Sequence, residues 1–171
     1  MEKTYQLIDG TVHIRPITAA DDAAIAAIIR DNLRAAHLDI PGTAYFDPEL
    51  EHLSVFYDAA PEKRGYVIVT DEDGRVIGGV GFAEFPGVPD CAELQKLYLD
   101  DTVKGRGISH LLMETVEEGA REAGYKKLYL ETHTCLEAAC ALYDKHSYER
   151  IEQPVPTPPH MTMNRFYIKN L

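Results

Sequence analysis

With 171 residues and 45% apolar content, the chain is long enough to bury a core and is expected to form one domain, residues 1–171. A formal net charge of −11 argues against a nucleic-acid partner, and no apolar run reaches membrane-spanning length. The three cysteines, Cys91, Cys135 and Cys140, lack CxxC spacing, and the N-terminus has no basic start followed by an apolar core, so a cytoplasmic protein with reduced thiols, no leader and no metal site is expected.

Alternation over Thr11 to Arg15 predicts a first strand, ended by Pro16. Thr18-Ala-Ala-Asp21 has the spacing of a capping box, and Ala24, Ile25, Ile28, Ile29 and Leu33 follow at helical intervals. Leu38 to Pro48, with Pro41 and Gly42, predicts irregular chain. Glu49 to Ala59 predicts a second helix that packs Leu50, Leu53, Val55 and Phe56. Gly65 to Thr70 and Val76 to Phe85 predict a hairpin around the Asp71 to Gly74 turn. Gly78, Gly79 and Gly81 weaken its second strand and point to close approach by a ligand or another backbone.

The stretch from Glu93 to Met113 carries the chemistry. Glu93 to Leu99 predicts a strand, broken by Asp100 and Asp101. Lys104-Gly105-Arg106-Gly107-Ile108-Ser109 follows, and an amphipathic helix starts near Ser109. The first N–H groups of a helix have no intrahelical partner and lie at the positive end of its dipole, so strand, glycine loop and helix in this order make an anion site. Gly105 and Gly107 allow close backbone approach, and Lys104 and Arg106 add charge, so the natural guest is a phosphate or pyrophosphate. A Walker A reading fails because the lysine comes first, and the dinucleotide fingerprint fails because His110 stands where its third glycine belongs.

The helix turns Ile108, Leu111, Leu112, Thr115, Val116 and Ala120 inward and stops at Ala123-Gly124. Lys127 to Thr132 predicts a strand, and Cys135 to His146 a short helix with Leu136, Ala139, Leu142 and Tyr143 on one face. Tyr148 to Glu152 and, beyond the prolines of 154–159, Met163 to Lys169 predict the last strands. His110, His146 and His160 read as scattered surface or structural residues.

The glycine loop resembles motif A of the GNAT superfamily of N-acetyltransferases, Arg/Gln-x-x-Gly-x-Gly/Ala after a strand. Gly107 matches, Lys104 replaces Arg or Gln, and Ser109 replaces Gly or Ala. Lysine keeps the charge but loses the planar fork. The late helix resembles the family pattern Asn-x-x-Ala-x-x-Leu-Tyr-x-x-x-Gly-Phe: Ala139, Leu142 and Tyr143 match, while Leu136, Ser147 and Tyr148 replace Asn, Gly and Phe. The order βααβββαβαββ is the GNAT order, so the resemblance covers nearly the whole chain. It implies an α/β (α+β) fold with a mixed, mostly antiparallel central sheet and helices on both faces.

The resemblance further implies acetyl transfer from acetyl-CoA to a primary amine of a small molecule or peptide, without a metal. Leu97, Tyr98 and Leu99 are expected to pair with the pantetheine arm and supply an N–H to the thioester carbonyl. Lys104, Gly105, Arg106, Gly107, Ile108 and Ser109 are expected to hold the pyrophosphate. Glu93 is the expected base, with Gln95, Glu131 and His133 as rivals, and Tyr143 is the expected acid near the cofactor sulfur. The acceptor pocket is expected over Asn32 to Phe56, with Tyr45 and Phe46 as aromatic walls and the loop from Pro154 to Met163 closing it. Pairing into a homodimer is expected through the late strands, where Phe166, Tyr167 and Ile168 lie. The alternatives are a catalytically inactive acyl-CoA-binding GNAT module and a nucleotide-binding transferase that uses the same loop.

Overall fold

A computed structural model describes residues 2–155 and 162–171. The chain opens with a hairpin that the sequence hides, β1 (Lys3–Leu7) against β2 (Gly10–Pro16). The strand β1 is an edge, half-buried at alternate residues only, and its mixed polar composition masks the period. Then come α1 (Asp22–Ala35), α2 (Leu53–Asp58), the hairpin β3 (Gly65–Thr70) and β4 (Val76–Glu84), and the strand β5 (Cys91–Leu99). α3 (Ile108–Glu122), β6 (Lys127–Thr132), α4 (Glu137–Lys145), β7 (Glu149–Ile151) and β8 (Arg165–Asn170) complete the order. Among the described residues, eight strands form one sheet, β1-β2-β3-β4-β5-β6-β8-β7, antiparallel except for the parallel pair β5–β6. Because β8 lies between β6 and β7, the free edge at this end of the sheet is the three-residue β7.

One face of the sheet carries α1 and α2, through a cluster that includes Ile25, Ile29, Leu33, Leu53, Tyr66 and Ile68. The other carries α3 and α4, whose Leu112, Val116, Leu142 and Tyr143 pack with Val12, Val80 and Leu130. The capping-box residues act just before α1: Thr18 donates from N and Oγ1 to Asp21 Oδ2, both at 2.8 Å, while Asp21 leaves the helix amides uncapped. A missing cap costs about 1 kcal/mol, whereas burying each of Ile25, Ile29 and Leu33, all 0% exposed, contributes about 1.5–3 kcal/mol, so the apolar stripe decides. Buried Asp22 ties α1 to α2 by accepting from Ser54 N at 2.9 Å and Ser54 Oγ at 2.7 Å.

The second helix departs from expectation. Leu50–His52 forms a 3-10 turn, and His52, at φ −143° and ψ 43°, breaks the helical path before α2. This rotates Ser54 and Tyr57 inward and leaves Val55 65% exposed. The glycines of β4 serve internal packing: a Cβ on Gly79 would lie 2.6 Å from Tyr66 Cε1 and 2.7 Å from Val67 O, and one on Gly81 2.5 Å from Tyr66 Cδ2. Among the described residues, no helix is long and apolar enough to cross a membrane.

Candidate active site

The sheet forks at Glu93. Strands β5 and β6 pair only over Cys91↔Lys127, Ala92↔Leu128 and Glu93↔Tyr129. Beyond that point Leu94, Gln95, Tyr98 and Leu99 pair with β4 on one side, and residues 94–99 have no β6 partner on the other. An unpaired strand edge presents main-chain donors and acceptors to whatever enters beside it. Leu97, Tyr98 and Leu99 lie on this open stretch, half-buried. Lys96, at φ 53°, forms a bulge there, where the β4 register slips between Gly79 and Gly81.

The glycine loop stands at the C-terminal end of β5. Gly105 (φ +82°) and Gly107 (φ +80°) both occupy the left-handed region, and a Cβ on either would meet nothing within 4 Å. Gly107 is the N-cap of α3 and has no side chain to cap it, so the first amides of the helix face the space beside the loop. Ile108 is buried beneath the loop and Ser109 is half-buried at the second helical position. The two cations are already engaged. Lys104 donates to Asn32 Oδ1 at 2.8 Å and pairs with Asp101; Arg106 Nε lies 2.6 Å from Asp9 Oδ2, in the β1–β2 turn. Asn32 also donates to Leu99 O at 2.9 Å, which ties α1 to the end of β5.

Tyr143 on α4 is 6% exposed, its ring 5.9 Å from Tyr148 and 5.6 Å from Tyr167. Burial pushes its phenol well up, and the nearby Tyr98 phenol of β5 adds to the shift. Glu93 accepts from Gln95 Nε2 at 2.6 Å, and Tyr57 OH donates to Gln95 Oε1 at 2.9 Å, so Gln95 orients Glu93. Of the rivals, Gln95 is this partner of Glu93, Glu131 Oε1 accepts from Tyr129 OH at 2.8 Å, and His133 Nδ1 lies 3.0 Å from Cys135 Sγ and accepts from Cys135 N at 3.2 Å.

The face of β5 towards α1 and α2 carries groups that the sequence pattern does not reveal. Lys96 is half-buried, with its side chain 8% exposed and its Nζ 2.6 Å from Asp47 and 3.2 Å from Glu49. Only the bulge turns it there, and a lone lysine in a strand gives no such signal. Burial raises the phenols of Tyr57, Tyr66 and Tyr98 on the same face, with Asp47 adding to the shift at Tyr98. Tyr45 is flanked by Arg30 and Arg34, each 5.8 Å from its ring, and Phe46 is 57% exposed at the rim. Thr162 Oγ1 donates to Pro41 O at 3.0 Å, which brings the end of the β7–β8 loop to the α1–α2 segment. The remainder of the expected closing loop, with His160, lies outside the described residues. His110 and His146 are not scattered but in contact, 2.8 Å apart. Among the described residues no cluster of His, Cys, Asp and Glu has a metal-binding arrangement. A groove of about 550 Å³, lined by Ile17, Tyr66, Val80, Phe82, Thr115 and Gly119 among others, lies towards the C-terminal half of α3 and includes neither the glycine loop nor Glu93 or Tyr143.

The acetyltransferase (GNAT) family matches residues 25–148. The chain belongs to the GNAT family. Its sequence is 34% identical, over 150 residues, to the Escherichia coli (strain K12) protein named uncharacterized N-acetyltransferase YjgM, covering 86% of this chain and 88% of that one. A GNAT acetyltransferase structure from Staphylococcus aureus Mu50 shares the fold with TM-score 0.82 at 18% identity, covering 93% of this chain and 98% of the other. PaiA N-acetyltransferase of Thermoplasma acidophilum, solved with coenzyme A, gives TM-score 0.73 at 15% identity over 94% and 99% of the two chains. These likenesses at low identity concern the GNAT fold; the GNAT membership rests on the family match and on the E. coli relative.

Proposed function

We propose that the chain, as one catalytic domain, is an N-acetyltransferase that moves an acetyl group from acetyl-CoA to a primary amine. The observation that carries this reading is the fork: an unpaired β5 edge opening beside Glu93, with an uncapped helix and two left-handed glycines at its far end. An anion fits the uncapped helix end, and an extended amide-bearing arm fits the strand edge. Leu97 to Leu99 hold the arm, Gly105 to Ser109 hold the pyrophosphate, and acetyl-CoA brings an activated thioester.

The acceptor amine arrives as an ammonium with a reference pKa of about 10.4 and must lose a proton before it attacks. Glu93, at the fork and oriented by Gln95, takes that proton directly or through water. A main-chain N–H on the open edge polarises the carbonyl. Tyr143 donates a hydrogen bond to the departing sulfur. Its raised pKa keeps the phenol protonated at neutral pH, yet makes it a weaker acid than a thiol of about 8.5, so it helps by donation in the transition state rather than by early proton release. Asp47, Glu49 and Lys96 border the acceptor side.

Incubation with acetyl-CoA and a panel of amines, with free thiol as the readout, tests this reading. Amine-dependent CoA release that falls in Glu93→Gln supports it. CoA binding without release with any amine supports the inactive module instead, and stabilisation by ATP but not by CoA supports the nucleotide-binding alternative.

A further inference from the structure

Two histidines 36 residues apart in sequence meet where the first turn of α3 touches the C-terminal end of α4. His110 Nδ1 and His146 Nε2 are 2.8 Å apart, with ring centroids 5.0 Å apart and ring planes 24° apart. One hydrogen must lie between these nitrogens, because two lone pairs or two N–H groups at that distance repel. His146 has a side chain 12% exposed, and its Nδ1 lies 3.8 Å from Glu117 Oε1. Glu117 is buried and accepts from Lys169 Nζ at 2.7 Å on both oxygens. A hydrogen on His146 Nδ1, towards that carboxylate, requires His110 Nδ1 to donate to His146 Nε2. It leaves His110 Nε2 as the acceptor at the end of a carboxylate–imidazole–imidazole chain. Burial lowers the His146 pKa, which disfavours the charged form of the inner ring.

We propose that the His110–His146 pair belongs to the cofactor site: it takes up a proton when a phosphate of the cofactor binds at the start of α3, and the resulting cation holds that anion. The proposal rests on the acetyl-CoA reading above. His110 N donates to Gly107 O at 3.1 Å, so His110 belongs to the first turn of α3, directly after the glycine loop. The two cations beside that loop, Lys104 and Arg106, each face a carboxylate, Asp101 and Asp9, so an added positive charge beside the loop strengthens its hold on an anion. The charged and titratable groups around the pair are Glu114 and Glu117 of α3, Arg121 paired with Glu117, Lys169 of β8 and the buried Tyr148 phenol beside Glu117. The two glutamates favour an added proton and Lys169 opposes it. A bound phosphate adds to the favourable side, so affinity rises as pH falls through the imidazole range and levels off above it. Each unit by which the anion raises the pair's titration corresponds to a tenfold gain in affinity at low pH.

Calorimetric titration of the full chain with dephospho-CoA and with CoA, at pH 6 and pH 8 and in two buffers of different ionisation enthalpy, reads affinity and proton uptake together. Dephospho-CoA is the cleaner probe, because a phosphomonoester such as the 3′-phosphate itself titrates near about 6 and loses charge in the same range. The expected result is binding up to about tenfold tighter at pH 6 than at pH 8, with proton uptake, and loss of both the pH difference and the proton uptake in His110→Gln and in His146→Gln. An effect seen with both ligands places the anion at the pyrophosphate, and one seen with CoA alone places it at the 3′-phosphate. Equal wild-type affinity at the two pH values without proton uptake overturns the proposal, as does an effect that survives both substitutions. If the variants fail to fold, the wild-type profile decides. Binding of neither ligand at either pH removes the acetyl-CoA reading, and this proposal with it.

Discussion

Replacing Gly107 with valine separates backbone strain from ligand contact. Gly107 and Gly74 share φ +80°, and a Cβ on either meets nothing within 4 Å, yet Gly74 lies in the β3–β4 turn and Gly107 caps α3 at the proposed pyrophosphate site. A left-handed backbone costs an L-residue about 1–2 kcal/mol, and a β-branched residue at least that. Both variants therefore lose about 2–8 °C in Tm for a domain of this size. CoA at 100 times its wild-type Kd stabilises by about 2.7 kcal/mol, or roughly 5–11 °C. In a thermal-shift assay, Gly74→Val keeps that increment on its lowered baseline. Gly107→Val loses most of it, because the valine Cβ and methyls fill the space that the pyrophosphate needs. A full CoA shift in Gly107→Val, or an equal loss of shift in Gly74→Val, refutes the assignment of the loop.

Tyr143→Phe keeps the ring packing and removes the donor, so kcat is expected to fall by up to about 10² with CoA affinity and Tm nearly kept; normal turnover would mark Tyr143 as a core residue only. Gly81→Ala places a Cβ 2.5 Å from Tyr66 Cδ2 and 2.8 Å from both Gly65 O and Tyr57 OH. Overpacking of this kind costs about 1–3 kcal/mol, so chemical denaturation should show a lower midpoint. Asp21 is held below the usual carboxylate range first by Arg15, which donates at 2.7 and 2.8 Å, and then by the Thr18 N–H and hydroxyl. Its contribution is therefore full above the unfolded value of about 3.9 and is lost as pH falls through the lower native value. Asp21→Asn should destabilise at neutral pH and flatten the acid limb of a Tm–pH profile, and an acid limb as steep as wild type would assign the loss to other carboxylates.

Much of the fold was legible because strong periods mark it. α3 shows a full apolar stripe after two glycines, and the β3–β4 hairpin shows strands around an Asp-Gly turn. β1 escaped because its polar edge carries no clear alternation, and the second helix shortened because His52 leaves helical geometry. At the site, the sequence marks the glycine loop, and the resemblance to the family order adds Glu93 and Tyr143 as expected partners. It does not reveal the bulge that turns Lys96 towards Asp47 and Glu49, nor that Arg106 reaches Asp9, 97 residues away. Those are long-range pairings between exposed-looking charges, for which one sequence holds no periodic signal. The His110–His146 contact is of the same kind: neither residue is unusual on its own helix, and only the crossing of α3 and α4 joins them.

Acetyl transfer at the fork between β5 and β6 has a direct readout in a single-turnover experiment with the protein in excess over acetyl-CoA labelled in the acetyl group, in the presence of an amine panel. Mass spectrometry of the amines and detection of free CoA should show label on an amine in equal amount to the CoA released, with both slowed in Glu93→Gln. Bound but intact acetyl-CoA with every amine, or CoA released by hydrolysis with no labelled amine, contradicts the claim.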